Sequence, residues 1–386
     1  MNSGSKTGRR FRVLDLRDTY EIGGPGKTII ETYKDLDADR FQMYLGVFAR
    51  RNEPADTPFV AAAHDCGLPV HVLRGFNQYD PRLISQLAAL VDSLAIDIIH
   101  AHEVKSDVIT YLAARLRPVP IVTTLHGWIG NGVKQRFMIG LDKCVVRGFD
   151  RVIAVSKEIE RELLAAGVEP EKICVLHNGI VLDRYRRTGR HGVLQRLIGR
   201  DLSRPIIASI GRLSPEKGHM DLIDAAALVK KQGRDFSLVL IGDGSERSNL
   251  TEKIRALHLE DVVYLVGYLP QPERFLEDIE LMVLPSHTEG LPNVVLESLL
   301  MEVPVLATRV GGTPEVITDG ATGRLVPAHS PEALAAGILE FLSCRDFWSR
   351  MAREGCKTVE SQFDFRERTR KLEALYGDLM QNVGRK

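Results

Sequence analysis

Two successive α/β domains, each built on a doubly wound parallel sheet, are what this 386-residue sequence predicts. Three observations lead there. Short apolar runs rich in β-branched residues recur along the chain, and each is followed by a longer stretch with helical spacing. The scheme starts afresh after an arginine-rich interruption between Asp183 and Arg204. The length also exceeds the size at which a single core usually stops growing.

In the first half, strands are expected near Arg12–Leu16, Gln42–Val47, Val70–Leu73, Asp97–His100, Ile121–Thr124, Arg151–Ala154 and Ile173–Val175. The second half repeats the pattern near Pro205–Ile210, Ser237–Ile241, Val262–Val266, Leu281–Leu284 and Val305–Ala307. Arg184, Arg186, Arg187, Arg190, Arg196 and Arg200 crowd the interruption, which reads as a linker or, in its later part, as a solvated helix face. The expected division is therefore an N-terminal domain over 1–185 and a C-terminal domain over 186–362. From 363 to 386, Leu372, Leu375, Tyr376 and Leu379 form a helical apolar stripe that must dock, for which the N-terminal domain is one candidate. Open α/β sheets bind ligands at the carboxyl ends of their strands, so residues just after strands are the ones to inspect.

Composition narrows the function classes. Lys plus Arg equals Asp plus Glu, and nothing in that balance favours nucleic acid as a partner. Cys66, Cys144, Cys174, Cys344 and Cys356 are scattered and odd in number, which argues against a disulfide framework or a zinc ribbon and suits a reducing cytoplasm. Met1–Arg12 is polar and basic, but Val13 and Leu14 run straight into Asp15, unlike the apolar core of a signal peptide. No apolar run approaches the roughly 20 residues needed to span a bilayer. The expectation is a cytoplasmic protein, held at most peripherally at the inner membrane face.

The most informative stretch is Ser286-His287-Thr288-Glu289-Gly290-Leu291-Pro292-Asn293-Val294-Val295-Leu296-Glu297, directly after the strand Leu281–Leu284. A turn containing Gly290 and Pro292, then a helix from about Asn293, aims backbone N–H groups at the strand end, where they can hold an anion. Glu289 and Glu297 are acceptors suited to sugar and ribose hydroxyls; the bland reading is a helix with ordinary surface acids. A second stretch, Gly211-Arg212-Leu213-Ser214-Pro215-Glu216-Lys217-Gly218, also follows a strand. Gly211 permits an unusual turn, and Arg212 with Lys217 can neutralise a leaving diphosphate; a polar turn with solvated cations fits the same residues.

These stretches resemble the family 4 glycosyltransferases. Glu289 and Glu297 match that family's E-x7-E element, and Pro304 to Ile317 matches its next strand and loop. The segments Gly211 to Gly218 and Ile241-Gly242-Asp243-Gly244 recur there in the same order and spacing. The resemblance is strong over about 205–342 and looser before it. It implies the GT-B fold, with two Rossmann-like domains facing an interdomain cleft, and retaining transfer from a nucleotide-diphosphate-sugar to an acceptor hydroxyl. The acceptor class it implies is a glycan, a lipid-linked sugar or a small molecule. By the resemblance, Glu289 contacts the donor sugar, Glu297 the ribose, and Arg212 with Lys217 the diphosphate. Gly290, Leu291, Pro292 and Asn293 complete that pocket, while Gly267 and Tyr268 lie near the base. One departure stands out. Where the family has a small residue and glycine at the end of the E-x7-E helix, this chain has Leu300-Met301-Glu302-Val303, so the left-handed cap falls to a glutamate.

In the N-terminal half, His126 follows the strand Ile121–Thr124, and the resemblance places a sugar-contacting histidine there. His100 and His102 also follow a strand and are weaker candidates for the acceptor side. After the first strand, Gly26-Lys27-Thr28 imitates the end of a phosphate-binding P-loop, but the first glycine of that motif would fall at Glu21. Gly23 and Gly24 instead resemble the first glycine-containing loop of GT-B enzymes, which approaches phosphates or the acceptor. Gly242-Asp243-Gly244 fails the dinucleotide fingerprint, since Arg247 takes the place of its third glycine. No DxD-like acidic pair follows a suitable strand, so no metal or other cofactor is expected. Lys134, Arg136, Lys143, Arg147 and Arg151 interleave with Phe137, Met138, Ile139, Leu141, Val145 and Val146, a pattern that suits either an ordinary packed helix or an anionic lipid surface. Rival classes are a P-loop nucleotidase, a nucleotide-sugar epimerase or sugar phosphorylase on the same fold, and a non-catalytic nucleotide-sugar binding protein.

Overall fold

The computed structural model describes residues 9–18, 23–52, 54, 56–77, 80–128, 132–189, 192–199 and 204–383. Glu21, Arg190 and Arg200 lie outside the described residues. Two units result: one joins Met1–Asn178 to Phe365–Lys386, and the other is Gly179–Asp364.

The first unit carries seven strands: β1 (Phe11–Arg17), β2 (Phe41–Arg50), β3 (Val70–Gly75), β4 (Ile98–Ala101), β5 (Ile121–Leu125), β6 (Arg151–Ala154) and β7 (Ile173–Val175). They lie in the order β3-β2-β1-β4-β5-β6-β7, with every pair parallel. The strands β4 and β5 are buried throughout because helices cover both faces, which is why they read as continuous apolar runs and not as alternation. The helices that matter below are α1 (Gly23–Asp35) and α2 (Val133–Val145).

The second unit holds β8 (Ile206–Ile210), β9 (Ser237–Ile241), β10 (Val263–Gly267), β11 (Leu281–Leu284), β12 (Val305–Thr308) and β13 (Arg324–Val326), in the order β10-β9-β8-β11-β12-β13 and again all parallel. Strand β13 was not foreseen: three residues with one polar member leave too short a run to read. Its helices include α3 (His219–Lys231), α4 (Asn293–Leu300) and α5 (Pro331–Ser343). In α3, Leu222, Ile223, Ala225, Ala226 and Val229 make one buried stripe that packs on Ile207, Leu238 and Leu306, while Lys230 and Lys231 sit at the negative end of the helix dipole.

The last helix, α6 (Phe365–Val383), belongs to the first unit although it ends the chain. Leu372, Leu375, Tyr376 and Leu379 lie in the same core as Phe41, Met43, Ile98 and Val122. The arginine-rich stretch is not a free tether. Tyr185, Arg187, Thr188, Gly192 and Leu194 all bond to residues of the second unit, through Glu297, Glu302, Glu277 and Asp278, and the division falls at Asn178 where the sequence suggested a boundary near residue 185.

At the end of α4 the glutamate does take the left-handed conformation. Glu302 has φ +52°, donates its N–H to Leu299 O and sets its carboxylate 3.0 Å from Arg187. Val303 N–H closes on Ser298 O, so the turn that glycine would make easily is kept at some local cost.

Candidate active site

In the second unit the strand order reverses between β8 and β11, and a crevice opens at such a switch point beyond the carboxyl ends of the strands. The loops that leave those two strands are the two stretches singled out above. Lys217 Nζ donates to Glu289 Oε1 at 2.6 Å, and Ser286 Oγ donates to the same oxygen at 2.6 Å. The carboxylate is nearly enclosed, with 8% of its side chain exposed, so the lysine ion pair is what makes its burial tolerable. Arg212, beside them in sequence, is more exposed and reaches Glu216 Oε1 at 2.8 Å. Burial alone would push the Glu216 carboxyl up, yet hydrogen bonds from Ser214 and Arg212 hold it below its usual value. It is therefore charged, and competes for Arg212 with any incoming phosphate.

Backbone packing sets this geometry. His287 N–H donates to Glu216 O at 2.8 Å, tying the β11 loop to the β8 loop, and Gly312 N–H donates to Gly290 O at 2.8 Å from the other side. Gly311 (φ +52°) allows that approach: a Cβ there would fall 1.7 Å from Glu289 O. Gly218 (φ +65°) does the same opposite, where a Cβ would meet Pro285 O at 2.0 Å. The chain then enters α4 at Asn293 behind Pro292, and the first turn of that helix presents N–H groups without intrahelical partners at the same edge.

Glu297 lies one turn into α4 and is buried, where it accepts a hydrogen bond from Tyr185 Oη at 2.8 Å. Burial, and then the carboxylate itself, push the Tyr185 phenol far above its ordinary value, so it stays a donor. Tyr185 is a residue that sequence reasoning missed: no local spacing connects it to Glu297. Gly211 follows β8 and donates to Ile241 O, and Gly267 ends β10 at φ +80°. Tyr268 follows it with its ring two-thirds exposed.

The first unit has its own switch point, between β1 and β4. Asp15, His100, His102 and His126 converge there. His102 Nε2 lies 2.5 Å from Asp15 Oδ1, and His100 bonds Tyr376 Oη at 2.6 Å and Thr124 Oγ1 at 2.7 Å. The rings of His100 and His102 stack at 4.2 Å. Burial holds all three histidines below their usual pKa, His102 down to about 3, and raises Asp15 to about 6. His126 Nε2 is buried and has no hydrogen-bond partner among the described residues. Gly23 and Gly24 open α1 after β1, with Gly23 at φ +48°, and Glu103 sits beside Arg17 at 3.5 Å.

On α2, Val133 and Phe137 are largely exposed and Leu141 partly so, one turn apart on a single stripe, while Val145 at its end and Val146 just beyond it are buried. No described helix is long and apolar enough to cross a membrane.

Comparison with known proteins agrees with this arrangement. The family described as "Glycosyl transferases group 1" matches residues 195–358, and "Glycosyltransferase Family 4" matches residues 22–184. A D-inositol 3-phosphate glycosyltransferase of Thermobispora bispora is 28% identical, over 96% of this chain and 94% of its own length. An N-acetyl-alpha-D-glucosaminyl L-malate synthase of Bacillus anthracis is also 28% identical, over 80% of this chain and 81% of its own. Among solved structures, Anabaena HepE in complex with UDP-glucose superposes with a TM-score of 0.85 at 23% identity, covering 96% of this chain and all of that one. At that identity the likeness speaks for the fold.

Proposed function

The chain belongs to the family 4 glycosyltransferases, and from that membership we propose that it moves a sugar, with retention of anomeric configuration, from a nucleotide-diphosphate-sugar to an acceptor hydroxyl. It is a glycosyltransferase of the GT-B fold. The observation that carries the finer reading is the Lys217–Glu289 pair at the switch point of the second unit. One loop brings a cation and the next a carboxylate, which is what a sugar linked to a diphosphate requires.

In this reading Arg212, Lys217 and the first turn of α4 take the diphosphate, Glu289 the sugar hydroxyls and Glu297, oriented by Tyr185, the ribose. Gly211, Gly290, Leu291, Pro292 and Asn293 shape the pocket wall, and Gly267 with Tyr268 lie against the base. The HepE complex with UDP-glucose supports a nucleotide-sugar as the donor class. His126 keeps the sugar-contacting role that the family resemblance implies, supported by its unpartnered Nε2. Gly23 and Gly24, after β1, approach the donor's phosphates or the acceptor, and His102, after β4, lies on the acceptor side; His100 sits within β4 with both ring nitrogens engaged.

As the bond from the sugar to the diphosphate breaks, charge grows on the leaving oxygen, and preorganised cations and N–H groups stabilise it. That oxygen can take the proton of an acceptor hydroxyl attacking on the same face, so the new bond keeps the configuration of the old. The expected product therefore has the donor's anomeric configuration, read by NMR of the purified product; the opposite anomer would demand a separate base. Charge compensation by Arg212 and Lys217 also makes a divalent ion unnecessary for the chemistry. Turnover is expected to persist in excess EDTA, and its complete loss, reversed by magnesium or manganese, would contradict this.

A peripheral position at anionic lipid is part of the same reading. It rests on the exposed Val133, Phe137 and Leu141 stripe beside Arg136 and Lys143. Phe137→Asp is expected to reduce co-sedimentation with phosphatidylglycerol vesicles severalfold, and unchanged binding would remove α2 as the contact.

A further inference from the structure

Asp221, His287 and His329 come from three separate segments of the second unit and bring one ligand atom each to within 4.8 Å of one another. Asp221 lies in the first turn of α3, His287 in the loop between Ser286 and Glu289, and His329 just before Ser330, which caps α5. His287 Nε2 is 2.8 Å from Asp221 Oδ2, and His329 Nδ1 is 4.0 Å from the same oxygen. The two imidazole rings lie over each other with centroids 3.7 Å apart. Tetrahedral zinc, with ligands at 2.0–2.2 Å, requires ligand atoms about 3.3 Å from one another. The two measured distances lie on either side of that value, and the overlapping rings aim their in-plane lone pairs nearly parallel, so the exposed His329 side chain must swing off the His287 ring to point its Nδ1 at the same ion.

His329 holds its position at φ +56°, where glycine or asparagine would be easier. The other His/Asp cluster, at Asp15, His100 and His102, differs in kind: it is fully buried, and both nitrogens of His100 are already engaged by Tyr376 and Thr124. Asp221, His287 and His329 keep a side open to water, since the His329 side chain is 69% exposed.

We propose that Asp221, His287 and His329 form a binding site for a divalent transition-metal ion, with zinc as the best match. Two imidazoles and one carboxylate suit zinc and exclude magnesium or calcium, which take oxygen ligands. Three protein ligands leave a fourth position for water. The ion is a brace and not a catalyst. It adds the turn before α5 to two segments that already meet through Lys217 with Glu289 and through His287 N–H with Glu216 O, and so holds the Glu289 loop against the start of α3. Turnover in EDTA is compatible with it.

The test uses the full-length protein, stripped with chelator and titrated with zinc and with cobalt(II) against a chromophoric competitor. Wild type is expected to bind an equivalent of zinc that His329→Gly loses, with affinity at that site lower by about a hundredfold, and Asp221→Asn is expected to weaken it similarly. Glycine suits φ +56°, so His329→Gly should melt in EDTA no lower than wild type, and only wild type should gain thermal stability from zinc. Cobalt should give a visible ligand-field spectrum without a thiolate charge-transfer band, and His329→Gly should lack it. Failure of wild type to bind either metal, equal binding by wild type and His329→Gly, or a thiolate band pointing to one of the five cysteines would each overturn the site.

Discussion

Lys217→Ala and Arg212→Ala are each expected to lower kcat by roughly 10²–10³, with a smaller change in donor affinity, because each removes a positive group facing charge that develops on the leaving diphosphate. The two variants differ in what they leave behind. Without Lys217, the nearly enclosed Glu289 carboxylate keeps only the Ser286 hydroxyl as a side-chain partner at Oε1. Arg212 is exposed, and its removal frees Glu216 to act as an uncompensated charge near the phosphate. Glu216→Gln in the Arg212→Ala background is therefore expected to recover part of the loss. Steady-state kinetics with a turned-over nucleotide-sugar decides the matter, and wild-type rates in both single variants would remove the diphosphate role.

The buried histidines of the first unit are expected to weaken it in acid. His100, His102 and His126 have folded pKa values below the ordinary 6.5, so the stability they contribute is fully present above about pH 6.5. It is lost as the pH falls below that, because the unfolded chain takes up protons that the folded one refuses, down to about 3 for His102. Asp15 works in the opposite sense: its folded value of about 6 lies above the unfolded 3.8, so protonation returns some stability as the pH falls through 6. Asp107, Asp142, Glu103 and Glu162 of the same unit are likewise raised, chiefly by burial, and act with Asp15 against the histidines. The measurement is urea unfolding at pH 7 and pH 5, followed by Trp128 fluorescence in a Trp348→Phe background, since Trp348 lies in the other unit. His126→Asn removes one histidine's uptake, so going from pH 7 to pH 5 should destabilise it less than it does wild type. The same pH 7 to pH 5 change in wild type and His126→Asn would mean that His126 is not held neutral.

Local chemistry in the sequence determined a good deal of this protein. Twelve of the strands are legible because parallel strands covered on both faces must be apolar throughout, and the start of α4 at Asn293 is legible because Gly290 and Pro292 break the chain before a helical stripe. Lys217 and Glu289 could each be placed after a strand, since parallel topology puts every such loop at one end of the sheet. Their meeting at 2.6 Å was decided by the tertiary structure, because it depends on β8 and β11 being neighbours although β9 and β10 intervene in sequence. The same holds for Tyr185 on Glu297, for the docking of α6 in the first unit, and for Asp221, His287 and His329. A pattern of residues records which neighbours along the chain share a face. Contacts between segments a hundred residues apart follow from strand order and packing, which no local spacing encodes.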